Sequence, residues 1–472
     1  VSLRLPSALD LGIRRPLPAL DNRNGEEQGS VGTKAQMTMR LWPVIVAVGL
    51  AAGVGVGQEV VDSVDIGSWG QDALTYNSRA GVIYGTSWNG EKVFAIACST
   101  NTLVADIHVK YPQDIAYDPI DNKAFVSYSY HDEDSVLVLD GYTHARLRAF
   151  AVPGVWTLLY DSVSNRIYAN CYDEDEVAVI DCASESVLCR IAIPGEPVNL
   201  TINTRHRKLY CQNDATMTVS VIDMNTNQII TNIYTGSWYF CAAYSEVADK
   251  YYCDGLDIAV VCGSGDTLIK QIDLPRGYQT KRMLSVEAES IVMVATNSGG
   301  SDSIYIVDVS RDVVKHAVCV SRQPWFLTRS AKTQLVYCAS TVHDIVSVMA
   351  ADGSRVLSEV IVKEGPQSLA TAPEYGYLYV GHGGFTPIVY VIRDEVGLAE
   401  SSGDIHRPRL ATTIVGDRYR YDGPEGATLV DPAGRAVRDL HAAGSDIRSL
   451  QPGVYFVTTP GQSWTRKVVK LK

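Results

Sequence analysis

Side chains able to do chemistry are plentiful in this chain, but they do not gather into a catalytic motif. Nine histidines are scattered without metal-ligand spacing. No G-x-S-x-G, H-E-x-x-H, phosphate-binding Walker loop or dinucleotide-binding glycine fingerprint occurs. The ten cysteines (98, 171, 182, 189, 211, 241, 253, 262, 319 and 338) include no C-x-x-C, which gives a structural zinc site no support, and no C-x-x-C-H for haem attachment. Two acidic clusters remain, His131-Asp-Glu-Asp134 and Tyr172-Asp-Glu-Asp-Glu176. Asp132, Asp134, Asp173 and Asp175 are weak candidates to hold a hard cation through oxygen ligands. The glycine-bearing register of a calcium loop is absent, so solvated acidic loops are the better reading. No residue is assigned a catalytic role, no cofactor is expected, and the chain reads as a non-enzyme.

What must position these groups is a repeat. A strand-like run ending in an aromatic recurs at Val82-Ile-Tyr84, Ala124-Phe125, Arg166-Ile-Tyr168, Lys208-Leu-Tyr210, Tyr251-Tyr252, Leu335-Val-Tyr337 and Tyr377-Leu-Tyr379, with a degenerate copy at Ile291-Val292. Tyr84 to Tyr379 is 295 residues over seven intervals, about 42 each, which is the period of a propeller blade. Each unit continues through a polar loop to an alternating run closed by an acid: Asp140, Asp181, Asp223 and Asp308. A second run follows, as in Val187-Leu-Cys-Arg-Ile-Ala-Ile193, then a Pro/Gly turn. That makes four short strands per unit. The four aspartates read as caps of the following turn through their own backbone, not as catalysts.

The eighth unit, starting near Pro366, supplies three strands and stops after Pro387-Ile-Val-Tyr-Val-Ile392. An orphan strand at Glu59-Val-Val-Asp-Ser-Val-Asp-Ile66 can complete it and close the ring, removing exposed edges. The fold expected is therefore all-β: an eight-bladed β-propeller over 58–394 closed by an N-terminal strand, with seven blades as the alternative because the sixth unit is degenerate. Cys241 and Cys253, on two runs flanking one turn, are the candidate disulfide pair.

The Val-Ser-Val-Ile-Asp223-Met-Asn-Thr-Asn run, the (V/L)Y motif before it and the Pro/Gly turn after it resemble the YVTN-type propeller repeat over 59–394. Such repeats occur in bacterial and archaeal surface-layer and secreted proteins. Related propellers include quinoprotein dehydrogenase subunits, denitrification cytochromes and lactonases. The repeat specifies fold strongly and chemistry hardly at all.

Both ends read as addresses. Met37-Thr-Met39-Arg40, the apolar run from Leu41 to Val56 and the small-x-small end Gly55-Val-Gly57 make a secretory signal over 37–57, cleaved near Gln58. The run is short and lacks a basic stop-transfer flank, which argues against a membrane anchor in the mature chain. Residues 1–36 read as a mis-called upstream extension. A linker over 395–409 leads to strand-and-turn sequence over 410–472, expected to form a small C-terminal β-sandwich. Its Gly434-Arg435, its Gly453-Val-Tyr455-Phe456-Val run and the basic-apolar stretch from Lys467 resemble the sorting domain of type IX secretion substrates. That resemblance implies engagement of the secretion machinery, passage across an outer membrane and attachment at the cell surface.

Composition narrows the partners. Hydrophobic residues at 46% and charged residues at 20% exclude a mainly disordered chain and a multi-span membrane protein. Residues 58–394 carry 24 Lys/Arg against 40 Asp/Glu, a net charge of −16, so nucleic acid and anionic membrane should be repelled. In the geometry of such propellers, loops leading into the first strands share a face with loops joining second and third strands. The former carry Trp69, Tyr111, Trp156, Trp238, Tyr239, Tyr278 and Trp325; the latter carry Trp88, Tyr128, Tyr130, Tyr172, His382 and Phe385. An aromatic, acidic face suits a protein or glycan ligand. Two functions stand: an exported or cell-surface binding module without chemistry, which is favoured, and a secreted propeller enzyme, quinoprotein dehydrogenase-like or lactonase-like, with a metal or cofactor over the central channel. The channel-facing candidates for the second are Asp72, Gln113, Asp114, Asn199 and Gln367.

Overall fold

In the computed structural model, the described residues are 58–395, apart from 130–133, 237–240, 255–256, 275–278, 298–302 and 322, and the strands within 412–470. The chain divides into two units, Val1–Leu398 and Ala399–Lys472.

The first unit is an eight-bladed propeller of four-stranded antiparallel sheets. Seven blades are built from consecutive strands: blade 1 over 71–108, blade 2 over 112–151, blade 3 over 155–192, blade 4 over 197–234, blade 5 over 242–272, blade 6 over 279–319 and blade 7 over 324–361. Blade 8 takes Pro366–Ala372, Tyr377–His382 and Ile388–Arg393 from the end of the unit and Val60–Asp65 from its start. The closing strand runs antiparallel to its neighbour, with Val64 opposite Val389 and Ser63 opposite Tyr390. The seven-bladed alternative falls, and the degenerate sixth unit is a complete blade, Gln279–Val286 through Val313–Cys319.

Strand patterning explains the layering. Second and third strands are buried on both faces and are near-continuous apolar runs, as at Val177-Ala-Val-Ile180. Outermost strands alternate exposed and half-buried residues, as at Thr102–His108. The core is distributed rather than central: each of the eight interfaces between neighbouring blades carries its own hydrophobic cluster. The closing interface packs Val64 and Ile66 against Ile83, Phe94, Tyr379 and Val389. Full burial of one such aliphatic side chain contributes about 1.5–3 kcal/mol.

The aromatic that marks the repeat is buried and reaches into the next blade. Tyr252 donates its hydroxyl to Asp312 of blade 6 at 2.7 Å, and Tyr337 to Asp394 of blade 8 at 2.6 Å. Tyr379 of blade 8 donates to Asn101 of blade 1 at 2.6 Å, which fastens the ring where it closes. The repeated aspartates cap turns as expected: Asp223 Oδ1 accepts the N–H groups of Asn225 and Thr226 at 2.7 and 3.1 Å, and Asp308 Oδ1 those of Ser310 and Arg311 at 2.9 and 3.2 Å. Asp140 and Asp181 do the same for Thr143 and Ser184. These hydrogen bonds favour the ionised carboxylates and hold Asp140, Asp181 and Asp308 below the usual range.

The expected Cys241–Cys253 disulfide is not formed, and all ten cysteines are free thiols. The register is the reason, since Cys253 lies opposite Ala242, one residue away from Cys241. Burial pushes both thiols well above their ordinary pKa.

The second unit is all-β, with a five-stranded sheet and a separate two-stranded ladder. In the larger sheet Thr412–Val415 runs parallel to Gln462–Lys470, which pairs antiparallel with Gly453–Thr459. The sorting-like residues Gly453, Tyr455, Phe456 and Lys467 fall on that central hairpin, with Phe456 opposite Lys467. Gly434 and Arg435 lie outside the described residues, as do the signal segment 37–57 and most of the linker. Among the described residues no helix is long and apolar enough to cross a membrane.

Candidate functional site: the channel mouth

The site is built from a defect repeated in the innermost strands. Near its start, each of seven of them slips register against the second strand, a β-bulge between Gln71 and Leu74, Pro112 and Asp114, Val155 and Leu158, Pro197 and Asn199, Thr280 and Arg282, Pro324 and Phe326, and Pro366 and Ser368. A bulge turns side chains out of the regular alternation. Here each bulged strand delivers at least two successive residues to one cavity. That cavity is about 510 Å³, within the range of small-ligand pockets.

Because the ring has eight blades, residues four blades apart face one another across the axis. Gln113 and Asp114 of blade 2 stand opposite Lys281 and Arg282 of blade 6, and Trp156 of blade 3 stands opposite Trp325 of blade 7. Asn199 of blade 4 stands opposite Gln367 and Ser368 of blade 8. The mouth therefore combines an axis of opposite charge, an axis of indoles and an axis of amides. Asp72 and Trp88 of blade 1 complete the lining.

Each charge has a distinct setting. Asp114 is pinned: its carboxylate accepts the N–H of Leu158 at 2.9 Å and that of its own neighbour Ile115 at 2.8 Å. Burial nevertheless raises its pKa, against the pull of those bonds and of Arg282. Asp72 is less supported, and burial lifts it to about 7 despite a backbone N–H from Trp88. Its Oδ2 is enclosed without a hydrogen-bond partner, as is Trp88 Nε1. Lys281 Nζ lies 5.2 Å from the centre of the Trp325 ring, and the Arg282 guanidinium 4.5 Å from that of Phe326, both cation–π geometries. Arg282 is open to the channel, and Lys281 is half-buried; the surrounding protein lowers the pKa of both.

Around the mouth the aromatics pair between the two loop sets. Ring centres lie 4.9 Å apart for Trp69 and Phe385, 4.9 Å for Trp88 and Tyr111, and 5.7 Å for Trp156 and Tyr172. Phe385 is 80% exposed and Trp69 38%. His382 is buried beneath this face, its Nδ1 3.1 Å from the Ile388 carbonyl oxygen and its ring edge-on to Tyr390. Burial drops its pKa to about 4, so it is neutral. Gln71 ties blade 8 to blade 1 here, donating to the Ser68 and Thr386 carbonyls and accepting the His382 N–H at 2.7 Å.

All five channel residues expected from sequence, Asp72, Gln113, Asp114, Asn199 and Gln367, line the cavity, and so do Trp156 and Trp325. Trp69 and His382 lie outside the lining. Trp238, Tyr239, Tyr278 and Asp132 lie outside the described residues. Sequence reading missed Lys281 and Arg282. The signal was their offset from Val292-Met293, which matches that of Gln113-Asp114 from Ala124-Phe125. Among the acidic-loop residues, Asp134 binds Ser129 and the Gly154 N–H, and Asp175 accepts the Glu196 N–H at 2.6 Å, so both brace loops. Asp173 is raised by burial and by the neighbouring acids Asp134 and Glu196. Among the described residues no three His, Cys, Asp or Glu side chains converge as a metal site.

No family model and no curated protein matches the chain. Solved structures match its fold. The computationally designed Ika8 protein aligns with a TM-score of 0.56 at 14% identity, over 71% of this chain and 100% of that one. Dihydro-heme d1 dehydrogenase NirN in complex with DHE aligns with a TM-score of 0.54 at 12% identity, over 64% of this chain and 68% of that one. At such identities the likeness is one of architecture.

Proposed function

We propose that this protein is an exported, surface-displayed propeller that binds a ligand at its channel mouth without transforming it. The observation that carries the reading is the mouth itself, where seven bulges bring facing indoles, amides and charges to one cavity. A wall needed only for packing would repeat the same residue at each bulge. The signal-like 37–57 and the type IX-like tail support export and anchoring, with the secretion machinery as the tail's partner and the outer cell surface or the extracellular space as the destination. YVTN-like repeats fit that destination.

Two experiments test the two halves. A glycan and surface-protein array probed with the full chain should give ligands whose signal is lost in Trp156→Ala/Trp325→Ala. Deletion of 400–472 should abolish surface display, and continued display of the truncated protein would remove the sorting assignment.

A second reading, a secreted propeller enzyme, is favoured by one observation. Asp72, lifted to about 7 inside the cavity, has the poise of a general acid or base. Turnover of any ligand from the array, lost in Asp72→Asn with binding retained, would establish it.

A further inference from the structure

The chemistry of the ligand can be read from the groups that the mouth presents. The Arg282 side chain makes no hydrogen bond among the described residues, and its guanidinium lies over the Phe326 ring. The acid facing it, Asp114, already accepts two backbone N–H groups. The guanidinium is open to the channel, and its planar fork matches a carboxylate. Lys281 adds a second positive charge beside it. Asp72 and Asp114 line the same cavity, so a singly charged anion fits the local balance better than a dianion.

The remaining groups suit a hydroxylated ring. Trp156 and Trp325 line the cavity on facing blades, and the amides of Gln113 and Asn199 in the same lining suit hydroxyl groups. We infer that the channel mouth binds the carboxylate of an acidic sugar, gripped by Arg282 with Lys281 beside it, the ring lying between the two indoles. The inference rests on the reading of the mouth as a ligand site. It also explains why two cations sit at the axis of a propeller with a net charge of −16.

The test is calorimetric titration of the full chain with glucuronate, glucose, benzoate and inorganic phosphate at low salt. Glucuronate should bind, with glucose, which lacks the carboxylate, weaker by about tenfold or more in line with the strength of a bidentate charge-assisted pair, and benzoate, which lacks the hydroxyls, also weaker. Arg282→Gln should lose about tenfold for glucuronate, while Arg282→Lys, which keeps the charge without the fork, should fall between the two. Thermal melting of both variants separates lost binding from lost folding. Unchanged glucuronate affinity in a folded Arg282→Gln protein would overturn the inference. Equal binding of glucose or benzoate, or tighter binding of phosphate, would overturn it while leaving the mouth a ligand site. Failure of all four ligands, together with a blank array, would remove both.

Discussion

Two rings of residues run round this propeller with the same period and opposite character. The outer ring, on the second strands, is nearly uniform: tyrosine at 84, 168, 210, 252, 337 and 379, all buried, with hydroxyls turned to the next blade. The inner ring, at the seven bulges, mixes five residue types: Asp72, Val198 and Lys281, with glutamine at 113 and 367 and tryptophan at 156 and 325. The backbone geometry is shared, so the difference lies in the demands on the side chains. Eight similar interfaces pose one packing problem and accept one answer. A cavity facing a single asymmetric ligand poses a different problem at each position.

The comparison can be broken first on the outer ring, where the effect should be largest. Asp394 is fully buried and accepts the hydroxyls of Ser330, Thr333 and Tyr337, joining blades 7 and 8 beside the closing strand. Asp394→Ala should cost about 3–5 kcal/mol in denaturant unfolding, because two buried donors, Ser330 and Tyr337, lose an acceptor at ~1.5–3 kcal/mol each. Tyr379→Phe and Tyr252→Phe should each cost about 1–2 kcal/mol. Tyr168→Phe should cost less, its hydroxyl being 3.4 Å from the Met224 carbonyl.

Acid should reveal a further contact at the interface of blades 3 and 4. Burial opposes ionisation of Asp161, but the Arg207 fork at 2.8 and 2.5 Å and the Ser164 hydroxyl outweigh it and hold the pKa to about 2. A depressed folded pKa contributes stability above the unfolded value, near 4, and that contribution is lost as pH falls through about 2. Arg207→Gln should flatten this acid limb of the stability profile.

The inner ring should act on stability with the opposite sign. Asp72 is raised to about 7, so the folded state binds more protons than the unfolded state between about pH 4 and 7, and stability falls as pH rises through that window. Asp72→Asn should remove the fall and melt higher than the parent at pH 8. A lower melting point at pH 8 would mean that the carboxylate has a stabilising partner.

The same contrast explains what could be read from the chain alone. The uniform ring was legible because repetition is a sequence signal: the (V/L)Y period predicted eight blades, the missing strand predicted closure by Val60–Asp65, and Asp223 and its counterparts were recognised as turn caps. The variable ring was legible only where a neighbouring unit supplied the frame, as for Asp114 and Asn199. Lys281 and Arg282 were hidden because their unit lacks the aromatic, having Met293 where the other blades have tyrosine or, in blade 2, Phe125. The disulfide expectation failed on a single residue of register between Cys241 and Cys253.

The central claim is that the varied ring exists to bind. Its most direct test is the array signal of the full chain beside that of Trp156→Ala/Trp325→Ala, with melting temperature recorded for both. The account predicts that the signal disappears from a variant that still folds and melts as a closed propeller. Undiminished binding by that variant would contradict it and move the ligand site away from the channel.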